Sequence, residues 1–149
     1  MEEEIDKISF QAKSFGIVVY MDDIMYVDDY EKNRDIHFPI PKEYFILYYL
    51  KHLYDKGIGK KNEVECIVIG HEHGETNGKC HMQIYIKFEQ KIRKKILPGK
   101  VTIDGLNYLY MAQKTKTPAK LRNYCKKGGD FYELVPCKTI KDILRENAY

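Results

Sequence analysis

The sequence contains no tryptophan and only four cysteines in 149 residues. Cys66, Cys80, Cys125 and Cys137 form no CxxC pair, so neither a zinc ribbon nor a redox motif is indicated, and reduced thiols are expected. No apolar run approaches the ~18 residues that a bilayer-spanning helix requires. The acidic start, Met1-Glu2-Glu3-Glu4, lacks the apolar core of a signal peptide. No GxxxxGKS/T phosphate-binding loop is present, and neither an internal repeat nor a low-complexity tract appears. These absences point to an intracellular soluble chain, and its length fits one domain around one core, residues 1–149.

The net charge of +3 conceals an asymmetry. Residues 1–50 carry five Lys/Arg against eleven Asp/Glu, and residues 87–127 carry twelve against two. A basic block of that size suits a surface facing phosphates, and it equally suits a solvated lysine-rich face.

Phe15 to Met21 is a near-continuous apolar run with β-branched residues, the pattern of a strand covered on both faces. Asp22 to Asp35, with six acidic residues and no period, reads as a loop. Pro41 to Lys56 predicts a helix, with Ile46, Leu47, Leu50, Leu53 and Tyr54 on one stripe and Gly57 and Gly59 as its stop. Its tyrosines read as core and rim packing.

Glu65 to Gly70 predicts a second strand and Cys80 to Phe88 a third, joined as a hairpin by a polar loop. The third alternates cleanly: Met82, Ile84, Ile86 and Phe88 face one way, His81, Gln83, Tyr85 and Lys87 the other. Val101 to Ile103 and Leu106 to Ala112 read as two strands or as a strand and a short helix. Thr117-Pro118 predicts a helix start, Thr as N-cap and Pro at the first turn, with the helix running to about Lys127 and stopping at Gly128-Gly129. Phe131 to Val135 suits a closing strand, and Thr139 can cap a last helix, Ile140 to Asn147.

Two groups carry chemistry. His81 and Gln83, at i and i+2, leave one strand face about 7 Å apart. Glu72 lies across the hairpin, in alternation with Gly70 and Val68. A carboxylate, an amide oxygen and an imidazole make a mixed oxygen–nitrogen site with open positions, suited to Mg²⁺ or, with the imidazole, Mn²⁺. An ordinary exposed strand face has the same spacing, and a zinc site from Cys66, His71, His73 and Cys80 would match no usual pattern. His71 and His73 are expected on the opposite strand face from Glu72. Tyr124 and Lys127, at i and i+3 on a helix, are surface neighbours. A free tyrosine, with a pKa of about 10, is a weak nucleophile near neutrality and needs its developing phenolate stabilised, which Lys127 can do. A lysine closing a helix C-terminus beside a tyrosine fits the same pair.

In order, Glu72, His81-Met82-Gln83, a basic stretch and Tyr124-Cys125-Lys126-Lys127 followed by Gly-Gly-Asp-Phe resemble the replication initiator (Rep) proteins of small circular single-stranded DNA viruses. Circovirus Reps, which are HUH endonucleases with Gln in place of the second His, are the nearest in pattern. Family motif II matches His81-Met82-Gln83, the upstream acidic ligand matches Glu72, and motif III, Tyr-x-x-Lys, matches Tyr124 to Lys127. Phe15 to Met21 stands in the place of motif I without its Phe-Thr-Leu-Asn pattern, and Ile84 replaces the glycine that follows motif II.

The resemblance implies an α+β fold: a central antiparallel sheet of about five strands flanked by helices (HUH endonuclease, RRM-like), with the site on one sheet face. It implies a metal-dependent transesterification on single-stranded DNA at a hairpin origin. Tyr124 would attack the scissile phosphate to give a 5′-phosphotyrosine and a free 3′-hydroxyl that primes rolling-circle replication. Glu72, His81 and Gln83 would hold Mn²⁺ or Mg²⁺, with Tyr124 and Lys127 catalytic. Lys91, Arg93, Lys94, Lys95, Lys114, Lys116, Lys120 and Arg122 are candidates for DNA-backbone contacts. Family Reps continue into a helicase domain, so this chain is expected to be the nuclease domain alone, monomeric by itself, oligomeric in the full protein through absent regions, and acting in the host nucleus. Two other readings fit the same residues: a non-catalytic single-stranded nucleic-acid-binding domain, and a plasmid or transposon HUH nuclease.

Overall fold

The middle of the molecule is a strand, β3 (Cys80–Ile92), whose alternation sets both faces of a sheet. The structure, a computed structural model, describes residues 12–21, 40–73, 80–114, 117–127 and 129–147. The remaining elements are β1 (Ala12–Met21), α1 (Lys42–Asp55), β2 (Glu63–His73), β4 (Gly99–Ile103), β5 (Leu106–Lys114), α2 (Pro118–Cys125), β6 (Phe131–Leu134), β7 (Lys138–Thr139) and α3 (Ile140–Glu146). The seven strands form one sheet in the order β4-β5-β1-β3-β2-β6, with β7 also paired to β2. Every pairing is antiparallel. The α+β expectation holds, with more strands than five because β4–β5 form a complete hairpin and two short strands extend the β2 edge. The acidic segment 22–35 lies outside the described residues.

One sheet face carries the main core. Met82, Ile84, Ile86 and Phe88 of β3 are fully buried there with Phe15, Ile17 and Val19 of β1 and Ile67 and Ile69 of β2. α1 and α3 cover this face through Phe45, Ile46, Leu50, Leu53, Ile140 and Ile143. α1 ends in a glycine-dependent cap: Gly57 takes φ +82°, its N–H donates to the Tyr54 carbonyl, and the Ile58 N–H donates to the Leu53 carbonyl. Buried Ile58 completes the motif. Thr139 caps α3 as expected, its hydroxyl accepting from the Asp142 N–H at 3.3 Å.

The tyrosines of α1 divide: Tyr49 is buried, whereas Tyr44 and Tyr48 are exposed. Residues 106–114 form a strand rather than a helix, turned back onto β4 through Asp104 and Gly105, both with positive φ. Thr117 precedes α2 but makes no side-chain cap, and the helix ends at Cys125 rather than Lys127. Pro118 at the first turn starts the helix by its fixed φ. No helix among the described residues is long and apolar enough to cross a membrane.

Ile84 stands at the centre of this arrangement, between β1 and β2. Ile84→Ala is predicted to cost about 2–5 kcal/mol, measured as a lowered urea midpoint at unchanged m-value. A loss below ~1 kcal/mol would show that the central strand is not the core described.

Candidate active site

Among the described residues, the second sheet face is covered by α2. Leu121 and Cys125 point down from the helix onto Cys66, Val68 and Tyr85. Two glycines admit the helix. A Cβ at Gly16 would meet the Leu121 Cδ2 methyl at 2.7 Å, a contact that a flexible side chain can relieve. A Cβ at Gly70 would overlap the carbonyl oxygen of Cys125, which is backbone and cannot turn away. Gly70 is thus the seat of the C-terminal end of α2.

Strand register defines the floor beside that seat. Gly70 stands opposite Gln83, and Gln83 opposite Val18. One row further, Glu72 stands opposite His81, and His81 opposite Tyr20. Directly opposed residues hold their Cβ atoms about 5 Å apart and i,i+2 neighbours about 7 Å apart. Glu72, His81 and Gln83 therefore occupy adjoining positions on one face. Gln83 is 8% exposed, one of three buried polar residues among those described. A buried amide is costly unless its polar atoms are engaged. The Tyr20 ring lies 5.5 Å from that of His81, centroid to centroid.

The register separates the residues of the alternative zinc set. Cys66 lies with Val68 and Gly70 under α2, whereas His71, His73 and Cys80 occupy positions of the opposite alternation. That arrangement splits the four between two faces. It also agrees with the expected orientation of His71, whose Nδ1 lies 3.5 Å from Asp130. Burial holds the Cys66 thiol pKa above its usual value, against a reactive role.

α2 divides its own cations between its two flanks. Arg122 Nη2 and Lys126 Nζ both reach Glu133 of β6, at 2.7 and 2.9 Å. They hold the Glu133 carboxyl below the usual range, Lys126 having the larger effect. These two, with Ala119 and Asn123, line a groove of about 830 Å³ over Glu65, Tyr85 and Lys87. Lys120 and Tyr124 follow at i and i+4 on the other flank, with Lys127 in the turn after the helix. Gly70, on which the end of α2 rests, stands opposite Gln83. Tyr124 is 41% exposed, and the Lys127 ammonium lies 5.8 Å from its ring centroid. Neither Tyr124 nor His81 nor Gln83 is among the residues that line the groove.

The remaining basic candidates separate from this site. Lys91, Arg93, Lys94 and Lys95 follow β3 to its other end, roughly 30 Å from His81 at the rise of a strand. Lys114 ends β5 opposite Phe15, and Lys116 lies outside the described residues. Arg122 is committed to Glu133.

Several neighbours were not expected. Phe131, 39% exposed, stands opposite Gly70 with the Lys126 ammonium 5.5 Å from its ring. Leu109 and Met111 of β5 are exposed in the two rows of His81 and Gln83. Their signal was the strand alternation of residues 106–114, hidden by apolar residues on both faces. No protein-family model matches the sequence, and comparison with curated proteins gives no match.

Gly70→Ala is predicted to lift the end of α2, at a cost of about 1–3 kcal/mol, and to speed thiol labelling of buried Cys125. Gly16→Ala should do neither to the same extent. Labelling unchanged from wild type, located by peptide mass, would remove Gly70 as the seat. Glu133→Gln tests the clamp by pH. A depressed folded pKa stabilises above the unfolded value, near 4.3, and that contribution is lost as pH falls through the folded value. The variant should therefore be the less stable protein at pH 7, by at most about 1 kcal/mol per ion pair, with the gap closing in acid. A gap independent of pH would rule the clamp out.

Proposed function

We propose that the protein is a metal-dependent single-stranded DNA endonuclease and strand transferase in which Tyr124 is the nucleophile. The observation that supports this most is the seating of the end of α2 on Gly70. Cys125, the residue after Tyr124, rests there on the β2 position that stands opposite Gln83. The order of these residues in the chain and their Rep-like motifs support the same reading.

The donor set suits a small divalent ion: Gln83 and Glu72 offer oxygens, His81 a nitrogen, on adjoining register positions. The chemistry such an ion supplies is Lewis-acid polarisation of a phosphate oxygen. Tyr124 Oη attacks phosphorus, and the new Oη–P bond forms as the P–O3′ bond breaks. The phenolic proton passes to solvent, and the departing 3′ oxygen takes up a proton as the free hydroxyl. Lys127 stabilises the developing phenolate and the phosphate charge by its proximity to the tyrosine ring. Attack by a 3′-hydroxyl on the phosphotyrosine reverses the step and joins strands. Partner and location follow from the reading: a single-stranded origin, replicated in the host nucleus if the viral resemblance holds.

A second reading, non-catalytic binding of single-stranded nucleic acid, draws on exposed Phe131, Met111 and Leu109 around the same rows. A denaturing gel separates the two. Wild-type protein with Mn²⁺ and a panel of single-stranded oligonucleotides should give a covalent band that EDTA and Tyr124→Phe both abolish. Tyr124→Phe should keep its affinity for the oligonucleotide. If no oligonucleotide yields a metal-dependent band that needs Tyr124, the nuclease reading is wrong.

A further inference from the structure

Asp130 joins the two faces of the sheet. α2 packs on Cys66, Val68 and Tyr85, whereas α1 covers the opposite face. Asp130 stands at the β2 edge, in the segment that leads from α2 into β6. Its carbonyl accepts from the His71 N–H at 3.0 Å, one residue beyond the pairing of Phe131 with Gly70. Both oxygens of its carboxylate face a cation or an imidazole. Oδ1 is paired with the ammonium of Lys42, the first residue of α1, and Oδ2 lies 3.5 Å from His71 Nδ1. The His71 side chain is buried, and that of Asp130 is about half exposed.

Two of the three parts that meet at Asp130 are fixed by other means. β2 is paired with β3 from Val64 to His73, and α1 is packed into the main core. The third part is the turn that follows α2. There the Lys127 N–H donates to the Tyr124 carbonyl and the Gly129 N–H to the Lys126 carbonyl, each at 3.1 Å. Gly129 takes φ +81°, a value that suits glycine alone. These bonds shape the turn from within. Its place against the sheet is set at its ends, by the Gly70 seat before it and by Asp130 after it. The three residues from Lys127 to Asp130 reach at most about 11 Å, so fixing Asp130 confines Lys127. The sequence hides this junction, because Lys42 is 88 positions from Asp130.

We propose that Asp130 is a positioning residue: its carboxylate, gripped by Lys42 and His71, keeps the turn after α2 where the Lys127 ammonium stands beside the Tyr124 ring. A cation stabilises a developing phenolate only if it is in place before the charge appears. The lysine side chain is long and flexible, so its backbone must be held for that to be so. An ion pair as exposed as this one adds little to global stability. Its loss therefore falls on the turn and leaves the fold standing. The inference rests on the nuclease reading for what Lys127 does, and on the geometry alone for what holds the turn.

Asp130→Ala tests this in two independent ways. Amide hydrogen exchange followed by NMR, without DNA or metal, should show Lys127 and Gly129 exchanging at least about tenfold faster, with α1 as protected as in wild type. Under the conditions that give wild-type protein its covalent band, single-turnover formation of the adduct at saturating protein should slow by at least about tenfold. Affinity for the same oligonucleotide in EDTA should stay within about twofold of wild type. In a Lys127→Gln background the further loss of rate from Asp130→Ala should be under about twofold, because the two residues act as one. Lys42→Gln, which removes one of the two grips, should shift exchange and rate in the same direction by less. Unchanged exchange at Lys127 and Gly129 would overturn the proposal. So would a wild-type rate, an undiminished effect in the Lys127→Gln background, or a loss of affinity that accounts for the loss of rate. If wild-type protein forms no adduct at all, the nuclease reading fails, and the exchange measurement still decides whether Asp130 holds the turn.

Discussion

The contact between Gly70 and the Cys125 carbonyl decides where α2 lies on the sheet. α2 touches the sheet through two apolar side chains, Leu121 and Cys125, and is too short to be positioned by its own stability. A missing side chain at Gly70 lets its last turn come to backbone distance of β2. The Glu133 clamp then opposes rotation of the helix, because Arg122 and Lys126 both grip one carboxylate from the far flank. Steric fit sets the position and charge sets the orientation.

The two faces of the sheet are built to different rules. Under α1 and α3 the side chains are large, branched and fully buried, and this is where the free energy of folding is concentrated. Under α2 they are smaller or polar, with Gly16, Gly70, Ser14 and Gln83 among them. Beyond the helix, Tyr20 stands beside His81 and Met111 beside Val18.

How much of this the sequence disclosed depends on the kind of physical signal. β3 was legible because its period of two runs unbroken from Met82 to Phe88, and its two faces followed from it. β5 was ambiguous because Leu109 and Met111 put apolar residues on the face that should have been polar. Thr117 has the composition of a cap but, at φ −132° and ψ 79°, makes no capping bond. Tyr124, His81 and Gln83 stand out in the sequence by residue type and order alone. The role of Gly70 was invisible, since only a tertiary contact distinguishes it from any other glycine in a strand. β3 continues to Ile92, past the Phe88 boundary expected for it, and so carries Lys91 to the end of the strand away from His81.

The sheet's margins bear on self-association. One outer strand, β4, has five residues, and the other edge is shared by β6, with four, and β7, with two. A long bare edge invites a second chain to add itself as a further strand, and short, interrupted edges offer too few consecutive unpaired amides for that. The longest strands, β2 and β3, are paired on both sides along their central stretches and cannot act as templates. Among the described residues the sheet therefore offers a second chain little edge to extend strand by strand.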